Sequence, residues 1–286
     1  MNLPMYKKTE VKPLAGIKSV IAVAAGKGGV GKSTVAVNLA LALQHQGFSV
    51  GILDSDIYGP SVRKMLPEEK SPAQKGQFLI PALCHGIKVI SMAYFRHTSE
   101  ATVVRAPIAN NIITQFIQGV DWGPLDYLII DFPPGTGDIQ LTLSQQANLT
   151  GAIIVTTPQE VAILDVRKAM HMFDQLKVPI VGIIENMSCY YHPKTDERIC
   201  LFGSGGGRKL AEQSGVPFLG EVPIDPEICR CGDTGEVLIP KSGEIESSSA
   251  KAFLAIAKHA TKEIESLKEQ CRGALLNFEL AWKEMS

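Results

Sequence analysis

The sequence predicts an α/β protein: a doubly wound, mostly parallel sheet with helices on both faces. Three observations point there. Short, continuous apolar runs recur at residues 19–25, 48–54, 127–131, 151–157 and 180–185. Helical patterns lie between them, for example over 161–176. A glycine-rich phosphate-loop pattern joins the first strand to the first helix. Strands without polar alternation are buried on both faces, and strands that alternate with helices pair in parallel.

Taken in order, residues 1–16 carry Pro4, Pro13 and Gly16 and read as a leader. Residues 19–25 (SVIAVAA) read as a buried strand. A helix follows over 31–46, with Val35, Leu39, Ala42 and Leu43 on one face and Gly47 as its stop. Residues 48–54 (FSVGILD) form the next strand, and 78–91 read as a hairpin or an edge element. Residues 190–199 are polar and read as an inserted loop. These readings divide the chain into the leader (1–16), a nucleotide-binding domain (17–246) and a helical tail packed on that domain (247–286). Within the tail, 275–282 ends in Trp282 beside basic residues; it is read as packing on its own domain rather than lying on a membrane.

Composition narrows the function. The 286 residues are 45% hydrophobic and 20% charged, which supports an ordinary core. The formal net charge is −1 and no dense Lys/Arg run occurs, so no nucleic-acid partner is expected. No apolar run reaches 18 residues and the N-terminus lacks a signal-type apolar stretch, so a cytoplasmic protein without a membrane attachment is expected. Six cysteines are expected to be thiols in that compartment. Four of them, Cys189, Cys200, Cys229 and Cys231, crowd into 43 residues' span (189–231).

Gly26-Lys27-Gly28-Gly29-Val30-Gly31-Lys32-Ser33 satisfies the G-x-x-x-x-G-K-[ST] pattern. Glycines let backbone N–H groups turn inward around phosphate oxygens, and the following helix adds positive partial charge. Lys32 is placed to reach the β- and γ-phosphates, and the Ser33 hydroxyl to bind Mg²⁺. Residues Gly26 through Ser33, with Thr34, form the expected nucleotide-binding set. Asp54 and Asp56 end the second strand, on the sheet edge where ligands bind in such folds. Asp131 ends the strand Tyr127-Leu128-Ile129-Ile130 and is read as a holder of Mg²⁺. The loop Phe132-Pro133-Pro134-Gly135-Thr136-Gly137-Asp138 is read as a nucleotide-sensing switch, with the Gly135 N–H facing the γ-phosphate.

The extra lysine, Lys27, makes the loop resemble the deviant Walker A motif of the ParA/MinD superfamily. That resemblance implies a homodimer with two ATP molecules between its subunits, and Lys27 reaching the partner's nucleotide as a catalytic group with Lys32. It also implies that Asp54 takes the metal-side role and Asp56 positions the attacking water, with slow turnover of ATP to ADP and phosphate.

Long further matches make the chain from about 18 to 251 similar to the Mrp/ApbC-type iron–sulfur cluster carriers. They include Leu53-Asp54-Ser55-Asp56-Ile57-Tyr58-Gly59-Pro60-Ser61, Thr156-Thr157-Pro158-Gln159-Glu160-Val161-Ala162, Glu185-Asn186-Met187-Ser188 and Val222-Pro223-Ile224-Asp225-Pro226. The resemblance implies that Asn186 contacts adenine, and that the protein assembles or carries a cluster for recipient apo-proteins. Arg105-Ala106-Pro107-Ile108 stands where the family usually has Arg-Gly-Pro-Met.

One departure bears on the cargo. The family's Cys-x-x-Cys falls here on His192-Pro193-Lys194-Thr195, and threonine cannot replace a thiolate on iron. The cluster ligands are therefore open. Cys189, Cys200, the Cys229-Arg230-Cys231 pair and His192 are the candidates, against a reading of the cysteines as ordinary thiols. The alternative function is a metal-free, ATP-dependent switch of the MinD/ParA positioning type; a third is a nucleotide-binding scaffold with negligible hydrolysis.

Overall fold

The computed structural model describes residues 14–95, 106–195 and 197–273. Its first half runs β1 (Ile17–Ala24), α1 (Lys32–His45), β2 (Val50–Asp54), α2 (Val62–Met65), β3 (Ala73–Lys75), β4 (Phe78–Ile80), β5 (Ala82–Cys84), β6 (Ile87–Ser91) and α3 (Ala106–Gln118). It continues with β7 (Leu125–Asp131), α4 (Asp138–Gln146), β8 (Gly151–Thr156), α5 (Glu160–Gln175), β9 (Ile180–Glu185), β10 (Tyr190–Tyr191) and β11 (Arg198–Ile199). The last elements are α6 (Gly206–Ser214), β12 (Phe218–Glu221), α7 (Pro226–Thr234) and α8 (Ser248–Gly273). Arg105, the leader up to residue 13 and the 275–282 stripe lie outside the described residues.

Eight strands form one sheet in the order β12-β9-β8-β1-β7-β2-β6-β5, all parallel except the β5–β6 hairpin at one edge. The apolar strands are buried on both faces, as a covered parallel sheet requires. Successive side chains of β1 serve two cores: Ile21 and Val23 join the core under α1 and α8, while Val20, Ala22 and Ala24 join the core under α3, α4 and α5. Strand order reverses at β1, whose neighbours are β7 and β8. The crevice beyond its C-terminal end is where ligands of doubly wound sheets bind.

Helix α1 is apolar almost all round and sits in the interior, which is why its burial reaches Asn38 and Gln44. It stops at Gly47, whose φ of 92° and N–H bond to the Gln44 carbonyl turn the chain toward β2. Helix α8 buries Ala250, Phe253, Ile256, Ala257, Ala260 and Ile264 against the same core as α1. No described helix is long and apolar enough to cross a membrane.

Residues 82–91 form the expected hairpin at the sheet edge, β5 antiparallel to β6, while β4 within the same stretch pairs instead with β3 in a small separate sheet. One region differs from expectation. Residues 190–199 are not a plain loop but a short antiparallel hairpin, Tyr190 pairing with Ile199 and Tyr191 with Arg198. That register places residues 189 and 200 opposite each other one step further on. Cys189 and Cys200 are joined there in a disulfide, so the expectation of six thiols is corrected for this pair.

Candidate functional site

The loop between β1 and α1 depends on glycine at three positions, Gly26, Gly29 and Gly31. Gly29 and Gly31 have φ of 83° and 78°, left-handed values that carry a penalty for a residue with a Cβ. A Cβ on Gly31 would come within 2.2 Å of the Asn186 amide nitrogen. A Cβ on Gly26 would come within 2.1 Å of the Asp165 backbone in α5. Helix α1 then starts at Lys32 with its N–H groups free to face an anion.

Three acidic strand ends and loops meet this helix start. Asp54 and Asp131 are register partners on β2 and β7, and both are fully buried. The Lys32 ammonium is ion-paired with Asp131 Oδ1 and lies 3.2 Å from Ser33 Oγ. Asp54 accepts hydrogen bonds from Ser91 Oγ at 2.8 Å and from the Asp56 N–H at 3.2 Å. Burial first, and then the Asp131 charge, pushes the Asp54 carboxyl up to about 7. Burial also raises Asp131, against the pull of Lys32. Asp56 is only half-buried and accepts from the Gly59 N–H at 3.0 Å.

These groups open into a cavity of about 700 Å³. Lys27, Gly28, Gly29, Gly31, Lys32, Ser33, Thr34, Asp56 and Asn186 all line it. Gly26, Val30, Asp54 and Asp131 stand behind that lining, Val30 and the two aspartates fully buried. The Lys27 ammonium has no hydrogen-bond or ion-pair partner among the described residues. Asn186 donates to the Val30 carbonyl at 2.9 Å and so ties the end of β9 to the phosphate loop. The switch-like loop is held by Gln140, which donates to the Pro133 and Pro134 carbonyls. The Gly135 N–H donates to Ala25 O at 3.4 Å in this arrangement.

Several walls of the cavity had no assigned part in the sequence reading. Met187, Leu201, Phe202, Ile224 and Ile228 form an apolar side facing the phosphate loop. Glu185 accepts from the Gly205 and Gly207 N–H groups, at 3.2 and 2.6 Å, and thereby fixes the start of α6. The segments 185–188 and 222–226 drew attention only as family matches; their meeting across β9 and β12 is long-range and left no local signal. Ser91, the hydroxyl on Asp54, is likewise 37 residues away in sequence.

The candidate cargo ligands do not converge as one set. Among the described residues no group of three or more His, Cys, Asp or Glu side chains could hold a metal ion. Cys229 is exposed and Cys231 buried, because two residues along α7 turn them to different faces. The His192 ring nitrogen Nδ1 accepts from the Lys194 and Thr195 N–H groups at 3.3 Å each, closing its own turn.

With this geometry in place, comparison with known proteins is decisive. The family model described as NUBPL iron-transfer P-loop NTPase, within the ParA group, matches residues 16–261. The chain belongs to that family. As a NUBPL-type P-loop NTPase it resembles an iron-sulfur cluster carrier protein of Synechocystis, 47% identical over 92% of this chain and 80% of that protein. It is 42% identical to the mouse iron-sulfur cluster transfer protein NUBPL, over 90% of this chain and 81% of the mouse protein. Among solved structures, a nucleotide-binding protein of Archaeoglobus fulgidus in complex with ADP superposes with a TM-score of 0.70 at 41% identity, covering 78% of this chain and 89% of that one. The MinD cell division ATPase of Pyrococcus furiosus shares the fold, with a TM-score of 0.56 at 21% identity, over 86% of this chain and 99% of that one. The recognition of an Mrp/ApbC-type carrier on a ParA/MinD-like fold is thereby borne out.

Proposed function

We propose that this NUBPL-type NTPase is an ATP-hydrolysing carrier that holds an iron–sulfur cluster and passes it to apo-proteins, working as a homodimer in the cytoplasm. One observation carries the reading. Asn186, in the wall of the nucleotide cavity, is bonded to the phosphate loop and lies four residues before the hairpin that takes the place of the family's cysteine motif. The nucleotide cavity and the hairpin are thus adjacent, which supports coupling between nucleotide and cargo. Relatives named as iron-sulfur cluster carriers match over most of the chain and favour this over a metal-free positioning switch.

In this reading the Gly28–Ser33 backbone and the Lys32 ammonium hold the β- and γ-phosphates of ATP, and Asn186 meets the adenine. Lys27, which has no ion-pair partner among the described residues, reaches the nucleotide of the second subunit. Asp56, half-exposed on the cavity wall, orients the attacking water. The site suits Mg²⁺ on a specific ground: Asp131 Oδ2 is buried with no hydrogen-bond partner, and the side chains able to ligate there, Ser33, Asp54 and Asp131, all offer oxygen. Ser33 would hold the ion directly, with Asp54 and Asp131 behind its waters. When bound, the ion neutralises phosphate charge. Turnover is slow, as suits a switch that alternates between loading and release.

Anaerobic reconstitution with ferrous iron and sulfide, followed by iron and sulfide counting and ATP-binding measurements on the same sample, tests the proposal. A stable cluster in a protein that also binds ATP is expected. ATP binding with no retained iron would overturn the carrier reading in favour of the positioning-type switch.

A further inference from the structure

We propose that Cys189 and Cys200, once their disulfide is reduced, are the cluster ligands of this chain, two thiolates from each of two copies. This rests on the carrier function proposed above and names the site for it.

The argument begins with placement. Iron–sulfur clusters are held by cysteine thiolates, commonly four. Cys189 and Cys200 are the two described cysteines whose sulfurs meet, with their Cα atoms 4.2 Å apart on facing ends of the β10–β11 hairpin. The Cys229 and Cys231 side chains diverge around α7, so they cannot share one cluster edge. Among the described residues one chain therefore offers a single such pair, and a four-thiolate set requires a second copy.

The two cysteines are held differently. Cys189 is fully buried, and its carbonyl accepts from the Ile224 N–H at 2.9 Å, so its backbone is fixed to the segment after β12. Cys200 is only half-buried and leads into Leu201 and Phe202. A fixed thiolate beside a more accessible one suits a cargo that must be both held and released. Tyr191, Ile199, Leu201 and Phe202 are exposed around the pair. An apolar rim of this kind is what a second copy bringing the other two thiolates would cover.

The same residues couple the pair to the nucleotide. Cys189 follows Asn186 and Met187, and Cys200 precedes Leu201 and Phe202; all four of these neighbours line the nucleotide cavity. Glu185 holds the far side by its bonds to Gly205 and Gly207. Both ends of the cysteine hairpin are thus anchored on one short segment, 185–187, that contacts the phosphate loop.

The redox step balances. Opening the disulfide takes up two electrons and two protons, supplied by a dithiol reductant that ends as its own disulfide. Each thiol then gives up its proton on binding iron. The closed disulfide is the empty, oxidised state, and reduction is the licence to load.

The test uses the full chain, reduced anaerobically with dithiothreitol, desalted, and incubated with ferrous iron and sulfide. Loaded and unloaded samples are then treated with iodoacetamide and the labelled cysteines mapped by mass spectrometry. Labelling of Cys200 is expected to fall at least tenfold on loading, while exposed Cys229 labels in both. Protein that skips reduction is expected to retain no iron. The double variant Cys189→Ser/Cys200→Ser is expected to lose its iron and still bind ATP. A cluster that forms while Cys200 labels as before, or that persists in the double variant, would overturn the ligand assignment and leave the carrier reading standing. Reduced wild-type protein that takes up no cluster would overturn both. The labelling experiment decides even if the double variant fails to fold.

Discussion

Asp54 and Asp131 stand side by side as register partners on β2 and β7, both buried, and the Lys32 ammonium is ion-paired to the second of them. Two carboxylates and one cation in a dry crevice form a charge arrangement with one acceptor left over, Asp131 Oδ2. That surplus is what a magnesium–phosphate group would complete. Burial and mutual repulsion raise the Asp54 carboxyl, which is the cost of holding the pair ready.

Replacing Lys32 with alanine removes the cation from this arrangement. Nucleotide binding is expected to weaken by about 10²-fold or more, since each charge-assisted hydrogen bond to phosphate contributes about 1.5–3 kcal/mol. Lys27→Ala is expected to retain binding and to lose about 10²–10³-fold in hydrolysis, the effect of removing one transition-state donor. Calorimetric titration with a non-hydrolysable ATP analogue, paired with phosphate release, separates the two.

Asp56→Ala is expected to bind ATP as the parent does and to hydrolyse it about 10²-fold more slowly. Its carboxylate is half-exposed on the cavity wall and, among the described residues, accepts from the Gly59 N–H. Phosphate release at the parent's rate would remove it from the role of water-positioning residue.

Gly31→Ala is expected to fail structurally. The left-handed backbone costs a non-glycine residue about 1–2 kcal/mol, and the new Cβ would displace Asn186 from the Val30 carbonyl. Gly28→Ala places its Cβ in open space and is expected to melt at the parent's temperature. Thermal denaturation without nucleotide compares the two directly.

Much of this site was legible in the sequence because its signals are local. The β1 run, the glycine pattern and the start of α1 are contiguous, and Asp54, Asp56 and Asp131 each end an apolar run that could be read alone. The rest depends on distant partners. Strand β12 is only four residues long, and α6 is nine residues long and polar on average, so neither shows an extended apolar run. The hairpin at 190–199 looks like a loop because its strands are two residues each. Its Cys189–Cys200 bond follows from register, which spacing alone does not reveal. The separation of Cys229 from Cys231 needs the knowledge that α7 is a helix.

At the opposite end of the sheet, Asp126 provides a pH test independent of the site. It accepts from Lys18 at 2.7 Å, from the Ser49 N–H at 2.8 Å and from the Ser49 hydroxyl at 2.7 Å. The Lys18 bond first, then Ser49, holds its carboxyl down at about 2. A folded-state value below the unfolded one, 3.8, makes the unfolded chain the stronger proton binder as pH falls from about 4 to 2. The stabilisation is therefore present above about pH 4 and lost below it. Asp126→Asn is expected to be less stable than the parent at pH 6, with the gap narrowing at pH 3, in urea denaturation at both values.

The most direct test of the carrier account is transfer. Cluster-loaded protein is mixed anaerobically with an apo-ferredoxin, with and without ATP, and the acceptor is separated and its visible spectrum and iron content measured. The account predicts that the acceptor gains the cluster, and that Lys27→Ala protein, loaded equally, transfers it more slowly when ATP is present. An acceptor that stays iron-free while the donor keeps its cluster in every nucleotide condition would contradict it.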